Sequence, residues 1–378
     1  MRPALDVLRD ARAYLCYSCG KCTAVCPVAA VNHAFSPRRT VERGLAGADL
    51  YREELVWSCV TCRACTAVCP EDVDFPGFIR GLRVEMLAAE RGPEYTHGEM
   101  LQTIPRLLAK GTLIPRRYDW LDPASVSKDG PVALFLGCGP YLDTVFGYLG
   151  GGHIEIAKSA VEVLNHLGIK PRILEAEACC GHDMLWIGDT ATFDALRREN
   201  EKSFRAAGVK KIVFTCPECY ATIKEHYKLP GVELVHLSEL VGGALGNGGL
   251  RFGASAGRVT YQDPCRLGRH LGITGPPRQV LDAIPGLERA EMTHAGTMAK
   301  CCGISAWIQC NAIAKQMQLD RIHEARAVAD TLVTNCPKCL VHFKCVLKEQ
   351  GKDFPLHVKD WTVLVAESLR GGEHADAR

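Results

Sequence analysis

Twenty of the 378 residues are cysteine, and their spacing is the first feature of the chain that can do chemistry. Cys16, Cys19, Cys22 and Cys26 precede Pro27, and the run returns as Cys59, Cys62, Cys65, Cys69 and Pro70. Both copies read CxxCxxCxxxCP, and both end in Thr-Ala-Val-Cys-Pro. Such short gaps let one loop wrap three thiolates around an iron–sulfur cube, while the fourth cysteine points at the other cube. The expected cross-over gives Cys16, Cys19, Cys22 and Cys69 to one [4Fe-4S] cluster, and Cys59, Cys62, Cys65 and Cys26 to the second. Tetrahedral zinc also uses paired CxxC, but a duplicated run of four ending in CP is far more specific to iron and sulfur.

A different repeat follows. Cys138, the adjacent Cys179-Cys180 before Gly181, and Cys216-Pro217-Glu218-Cys219 form the first copy. Cys265, Cys301-Cys302-Gly303 and Cys336-Pro337-Lys338-Cys339 form the second. Five cysteines per copy are more than one cube needs, and neighbouring cysteines do not easily serve as two corners of a zinc tetrahedron. A group larger or more open than zinc is implied. The two CPxC pairs keep a zinc-stabilised scaffold as an alternative.

Composition narrows the class. Lys plus Arg number 45 against 43 for Asp plus Glu, a net charge of +2, which leaves no electrostatic footprint for nucleic acid. Arg2, Asp6, Arg9 and Asp10 interrupt the start, where an export signal needs an unbroken apolar core. A cytoplasmic location is therefore expected, where thiols stay reduced and clustered cysteines bind metal rather than pair. The most apolar run, Val132 to Leu136, is far short of the roughly 20 residues that cross a bilayer, so any membrane association must come through a partner. Neither a GxGxxG after a strand nor a GxxxxGK is present, so no nicotinamide or nucleotide is expected on this chain.

The elements that must hold these cysteines are legible in outline. Residues 1–115 carry the paired runs on a helical frame, and 116–130, within IPRRYDWLDPASVSKDG, reads as a linker. Val132 to Leu136, Ile212 to Thr215, Val259 to Tyr261 and Leu332 to Thr334 are short apolar runs of buried parallel strands, each just ahead of a cysteine. Ile156, Ala157, Ala160, Val161, Leu164 and Leu167 recur at helical spacing, and Phe193 to Ala207 reads as another helix. Alternating strands and helices predict a parallel α/β sheet with its ligand sites at the carboxyl ends of the strands. The units are expected at 131–242 and 258–370, joined by a glycine-rich linker at 243–257 and ended by a tail at 371–378. The fold class is thus an α-helical two-cluster ferredoxin domain followed by a tandem pair of α/β CCG domains.

CYSCGKCTAVCPV, FSPRR, WSCVTCRACTAVCP and two complete Cx(n)CCGx(n)CPxC units resemble the D-type subunit family of heterodisulfide reductase, which looks like the C-type and B-type subunits fused in one chain. The match runs from Tyr14 to about Leu347. The resemblance implies that each CCG unit holds a non-cubane [4Fe-4S] cluster. One would use Cys138, Cys179, Cys180, Cys216 and Cys219, the other Cys265, Cys301, Cys302, Cys336 and Cys339. It further implies that the two cubane clusters feed electrons to these two, which face one cavity and split a disulfide or oxidise thiols in reverse. The chain would then be an oxidoreductase acting on a sulfur group within a multi-subunit complex. Its partner would be a flavin-containing protein like the A-type subunit of heterodisulfide reductase, a membrane cytochrome b or another electron donor, with no flavin on this chain.

Other residues follow from their places near the cysteines. His182, beside Asp183, is a candidate proton donor. Arg266, Arg269, His270, Lys338 and His342 are candidates for binding an anionic substrate, against the alternative of salt-bridged or solvated basic turns. Trp186 and Trp307 are expected to shield the clusters, and Pro27, Pro70, Pro217 and Pro337 to set the chain after a ligand. Cys310 and Cys345 remain as buried small hydrophobes. The competing function is an electron-transfer subunit linking a flavoprotein dehydrogenase to quinone or another reductase without disulfide chemistry.

Overall fold

The computed structural model describes residues 3–113, 119–246, 250–351 and 354–376. Of the expected linkers and tail, residues 116–118, 247–249 and 377–378 lie outside the described residues.

From Ala4 to Ala109 the described residues form helices and 3-10 turns without a strand. The longest helix, Phe75–Ala88, starts where the Asp74 carboxylate accepts from the Gly77 N–H, with Pro76 in its first turn. It buries Phe78, Ile79 and Leu82, and with them Arg83. Both cysteine runs take the same path. Ser18 and Thr61 are left-handed at φ 64° and 49°, as are Gly20 and Arg63 at 81° and 59°. These paired reversals, just before and just after the second cysteine of each run, curl the loop around its thiols.

The rest is two small parallel sheets. β1 (Val132–Phe135), β2 (Lys211–Phe214) and β3 (Glu233–His236) lie in that order. β4 (Gly257–Gln262), β5 (Leu287–Arg289), β6 (Thr331–Thr334) and β7 (His357–Asp360) are ordered β5-β4-β6-β7. Val132 pairs with Lys211 in the first sheet, and Val259 with Thr331 in the second. Where the second sheet has β5, the first has only the parallel bridge Ala133 to Arg172. Cys138, Cys216, Cys265 and Cys336 each lie just past the carboxyl end of a strand, as expected for a parallel sheet. Cys216 and Cys336 are extended residues whose following prolines open the helices Pro217–His226 and Pro337–Gln350. Pro27 likewise opens the helix Pro27–Val31, whereas Pro70 begins a turn.

The two units pack as a pseudo-symmetric pair. Helix His153–His166 lies on Trp361–Asp376, and Leu237–Gly246 lies on Gly275–Asp282. Leu134 and Val213 of one sheet share a core with Val259 and Val333 of the other, filled by Leu164, Val241, Val280 and Trp361. Each such side chain contributes about 1.5–3 kcal/mol by leaving water. This packing carries two helices past expected boundaries. The helix Leu237–Gly246 runs into the expected glycine-rich linker because Val241 is buried against the opposite unit. The final helix continues to Asp376, through most of the expected tail, carried by the same interface at Trp361, Val365 and Leu369.

Candidate functional site

The two CCG turns are built alike. Gly181 and Gly303 have φ of 76° and 87°, and a Cβ would come within 2.7 Å of the Phe193 ring or 2.9 Å of the Ala314 carbonyl oxygen. Only glycine closes either turn. In the first unit Asn200 accepts from the Ala178 N–H at 2.7 Å and donates to the Cys179 carbonyl at 3.0 Å, while the Tyr227 hydroxyl donates to the Cys180 carbonyl at 3.1 Å. Glu177 takes the N–H groups of Leu136 and Gly137 at 2.9 and 2.8 Å, fixing the loop that carries Cys138. In the second unit His342 Nδ1 donates to the Cys302 carbonyl at 2.8 Å, and Gln262 donates to the Lys300 carbonyl at 3.1 Å.

All twenty cysteines are free thiols, and eighteen of them, all but Cys310 and Cys345, converge in four groups. In the first unit the thiols of Cys138, Cys179, Cys180, Cys219 and Cys216 neighbour one another in that order. In the second, Cys265, Cys301, Cys302, Cys339 and Cys336 form the same chain, with Cys339 Sγ 3.1 Å from Cys302 Sγ. Cys26 sits beside Cys59 and Cys62, and Cys65 beside all three. Cys16, Cys19, Cys22 and Cys69 line a common pocket. This outer group includes the exposed Cys19, whereas Cys26, Cys59, Cys62 and Cys65 are all buried.

Burial pushes the Cys59 thiol up to about 11, with the Arg83 guanidinium opposing it. The Cys62 thiol is pulled down to about 5 by its hydrogen bond with Cys301, helped by Arg269 and Arg266 against the cost of burial. Hydrogen bonds from Cys179 and Cys219 draw Cys180 down to about 7. Converging soft thiols of this kind suit iron–sulfur clusters, which bind the thiolate form.

Between the two units lies a buried charge network. The Lys338 ammonium donates to Asp183 Oδ1 at 2.5 Å and to Glu218 Oε2 at 2.7 Å. His182 Nδ1 lies 3.0 Å from Asp183 Oδ1, and its Nε2 accepts from Arg266 Nε at 2.9 Å. Both imidazole nitrogens are therefore engaged, and burial lowers the pKa of His182. His182, Asp183 and Glu218 have the spacing of a cation site, and the Lys338 ammonium already neutralises it.

The residues expected to meet an anionic substrate have the following protein partners. Arg266 donates to the Thr61 carbonyl at 2.8 Å and to Thr61 Oγ1 at 2.7 Å, and it touches His270. Arg269 donates to the Cys62 carbonyl at 2.6 Å and the Thr297 carbonyl at 3.3 Å. His342 is held by the Cys302 carbonyl and Gln318. A buried guanidinium needs acceptors, and the cysteine loop of the ferredoxin domain supplies them.

Trp186 lies under Arg266 at 4.3 Å, and Trp307 walls a cavity of about 60 Å³ beside the first cysteine set. Cys310 neighbours His342, and Cys345 accepts from Lys315 at 3.3 Å. Sequence reasoning missed Thr61, Arg83, Glu177, Asn200 and Tyr227. Of these, Asn200 left a signal, a polar side chain on the helical face formed by Phe193, Leu196 and Phe204.

Two domain families match this arrangement. The 4Fe-4S dicluster domain matches residues 12–73, and the Cysteine-rich domain matches twice, at 132–224 and 259–344. The D-type subunit of dihydromethanophenazine:CoB--CoM heterodisulfide reductase from Methanosarcina mazei is 31% identical over 270 residues, covering 67% of this chain and 63% of that protein. The chain is a homologue of the D-type subunits of heterodisulfide reductase. EtfAB:quinone oxidoreductase of Syntrophomonas wolfei is 30% identical over 247 residues, 59% of this chain and 34% of that one. The B-type subunit of fumarate reductase (CoM/CoB) from Methanothermobacter marburgensis is 30% identical over 202 residues, 52% and 40%. The alignments thus span less than two thirds of these relatives' lengths. As a heterodisulfide reductase homologue the chain is an iron–sulfur protein similar to oxidoreductase subunits. Among the described residues no helix is long and apolar enough to cross a membrane.

Proposed function

We propose that the chain is the iron–sulfur subunit of a heterodisulfide-reductase-like complex that reduces a disulfide, or oxidises thiols in reverse. One observation carries the reading: both five-thiol sets are complete and meet across the unit interface, where Glu218 of CPEC pairs with Lys338 of CPKC. Cys16, Cys19, Cys22 and Cys69 would hold one cubane cluster, and Cys59, Cys62, Cys65 and Cys26 the other. The two five-thiol sets would each hold a non-cubane cluster. When bound, these groups supply one-electron steps, which a two-electron disulfide reduction needs in pairs.

The chain's own residues set the surroundings. Arg266 and Arg269 hold the ferredoxin loop, Trp307 walls the space beside the first set, and Lys338 neutralises the carboxylates between the units. The donor would be a flavoprotein, a membrane cytochrome b or another electron-donating component of the complex.

Iron, zinc and acid-labile sulfide per chain, measured after oxygen-free purification, test the proposal. About sixteen irons with matching sulfide are expected for four [4Fe-4S] clusters. The reduced chain must then release thiol from a disulfide, and failure to do so with any disulfide refutes the sulfur chemistry.

A second reading, electron transfer from a flavoprotein to quinone or another reductase, is favoured by the filled interface. Buried ion pairs lie at the junction of the two units, and the cavity beside the first set is about 60 Å³. Clusters indifferent to added thiols would support it.

A further inference from the structure

We infer that electrons enter the second CCG unit from the ferredoxin domain and reach the first unit only through the second, with Arg269 and Arg266 as the positioning residues of the junction. The inference rests on the reading that all four cysteine sets carry clusters, and it adds an order to them.

The order follows from which thiols touch. Cys62, of the inner ferredoxin group, has Cys301 of the second unit as its neighbour. Arg269 fastens that contact from the second unit by donating to the Cys62 carbonyl at 2.6 Å. Arg266 grips the neighbouring Thr61 through its carbonyl and its hydroxyl, at 2.8 and 2.7 Å, and Ser305 meets the same hydroxyl at 2.9 Å. These partners all belong to the second unit: Cys265 precedes the π-helical turn Arg266–His270, and Ser305 follows Gly303.

The first unit meets the ferredoxin domain through different groups. Arg83 donates to the Trp186 carbonyl at 2.9 Å, Arg63 pairs with Glu225 at 3.3 Å, and Arg106 pairs with Asp189 at 3.2 Å. Its thiols are instead approached from the second unit, where Cys336 lies near Cys216 and Glu218. Because tunnelling falls steeply with distance, the unit whose thiol neighbours the ferredoxin group is the first acceptor, and among the described residues that is the second unit. Each hop moves one electron, oxidising the upstream set and reducing the next. No bond breaks, and the supply is an external one-electron iron–sulfur protein.

The test uses the full chain, anaerobic and oxidised, mixed with a reduced two-[4Fe-4S] ferredoxin and followed by freeze-quench Mössbauer spectroscopy. Cys216→Ser with Cys219→Ser empties the first unit, and Cys336→Ser with Cys339→Ser empties the second. In the former the remaining CCG signal is expected to be reduced at the wild-type rate. In the latter it is expected to stay oxidised while the ferredoxin pair is reduced normally. Wild-type reduction of the first unit without the second overturns the inference. Arg269→Gln, which keeps every cysteine, is expected to hold full iron and an unchanged ferredoxin rate while both CCG signals lag together. No lag, or a lag confined to the first unit, also overturns it. A wild-type chain with only about eight irons would refute the underlying cluster reading and this inference with it, whereas wrong kinetics at full iron refute the order alone.

Discussion

Replacing Lys338 by Met leaves two buried carboxylates without their cation. The side chain is 6% exposed and its ammonium reaches Asp183 and Glu218 at 2.5 and 2.7 Å, while the other group at those oxygens is the His182 imidazole, 3.0 and 3.4 Å away, whose protonation burial disfavours. Removing one partner of a buried pair costs about 3–5 kcal/mol, and at about 3 °C per kcal/mol the melting midpoint should fall by roughly 10 °C. Methionine keeps the aliphatic stem that runs under the Trp307 ring, 5.1 Å from the ammonium, so the loss reports charge rather than packing. The triple variant Lys338→Met, Asp183→Asn, Glu218→Gln should recover most of it, because the stranded charges are gone.

The pH dependence has a definite sign. In the native chain Asp183 is held low by the Lys338 ammonium against the cost of burial, so its stabilisation is present above the ordinary carboxylate range and lost as pH falls. In the single variant one carboxylate must rise above its unfolded value, so stability is lost as pH rises, and the deficit is larger at pH 8 than at pH 6. Differential scanning of the anaerobic proteins at one scan rate makes the comparison. A single variant that melts with the wild type, or a triple variant as unstable as the single, would refute the reasoning.

Three further outcomes are expected. Asp360, buried at the start of the last helix, is raised by burial to about 7 while it caps the Thr362 N–H at 2.7 Å. A raised carboxylate gives stability that is lost as pH climbs through that value, about 1.4 kcal/mol between pH 6 and pH 8, and Asp360→Asn should flatten this slope in denaturant midpoints while keeping the cap. Gly181→Ala combines left-handed strain of about 1–2 kcal/mol with a Cβ 2.7 Å from Phe193, and should cost the chain about four irons in metal analysis, with the other sets retained. Asn200→Leu strands the Ala178 N–H and the Cys179 carbonyl at about 1–3 kcal/mol each, and Asn200→Asp, which keeps only the acceptor, should lose about half as much in thermal melts.

What the sequence made legible follows from how each part is solvated. β1, β2, β4 and β6 end in buried residues and read as apolar runs, so the cysteines at their carboxyl ends could be placed. β3 (ELVH), β5 (LER) and β7 (HVKD) lie at sheet edges, where exposure permits polar residues and erases the pattern. The helix Leu237–Gly246 was hidden by glycines that suggest a linker, because its reason to fold is a helix in the other unit. The cysteines announced themselves by type and spacing. The cations near them showed their sign but not their partners: Arg266 and Arg269 serve Thr61 and Cys62, more than two hundred positions away in each case. Arg83 gave no cue, since its acceptors, the carbonyls of Val56, Cys59 and Trp186, are backbone groups that any sequence supplies.

The graded burial of the paired cysteine runs also sets how the chain should fail. Cys19 stands in solvent and its companions Cys16, Cys22 and Cys69 are half-buried, while Cys26, Cys59, Cys62 and Cys65 are sealed. Oxygen and chelators therefore meet the outer group first. Under the proposed function, damage there would act like a blown fuse: an external electron donor would lose its entry point while the sealed group behind it is spared. A sample handled in air should lose turnover with a protein donor before it loses its inner iron, so inactivity alone is a poor measure of how much of the metal core survives.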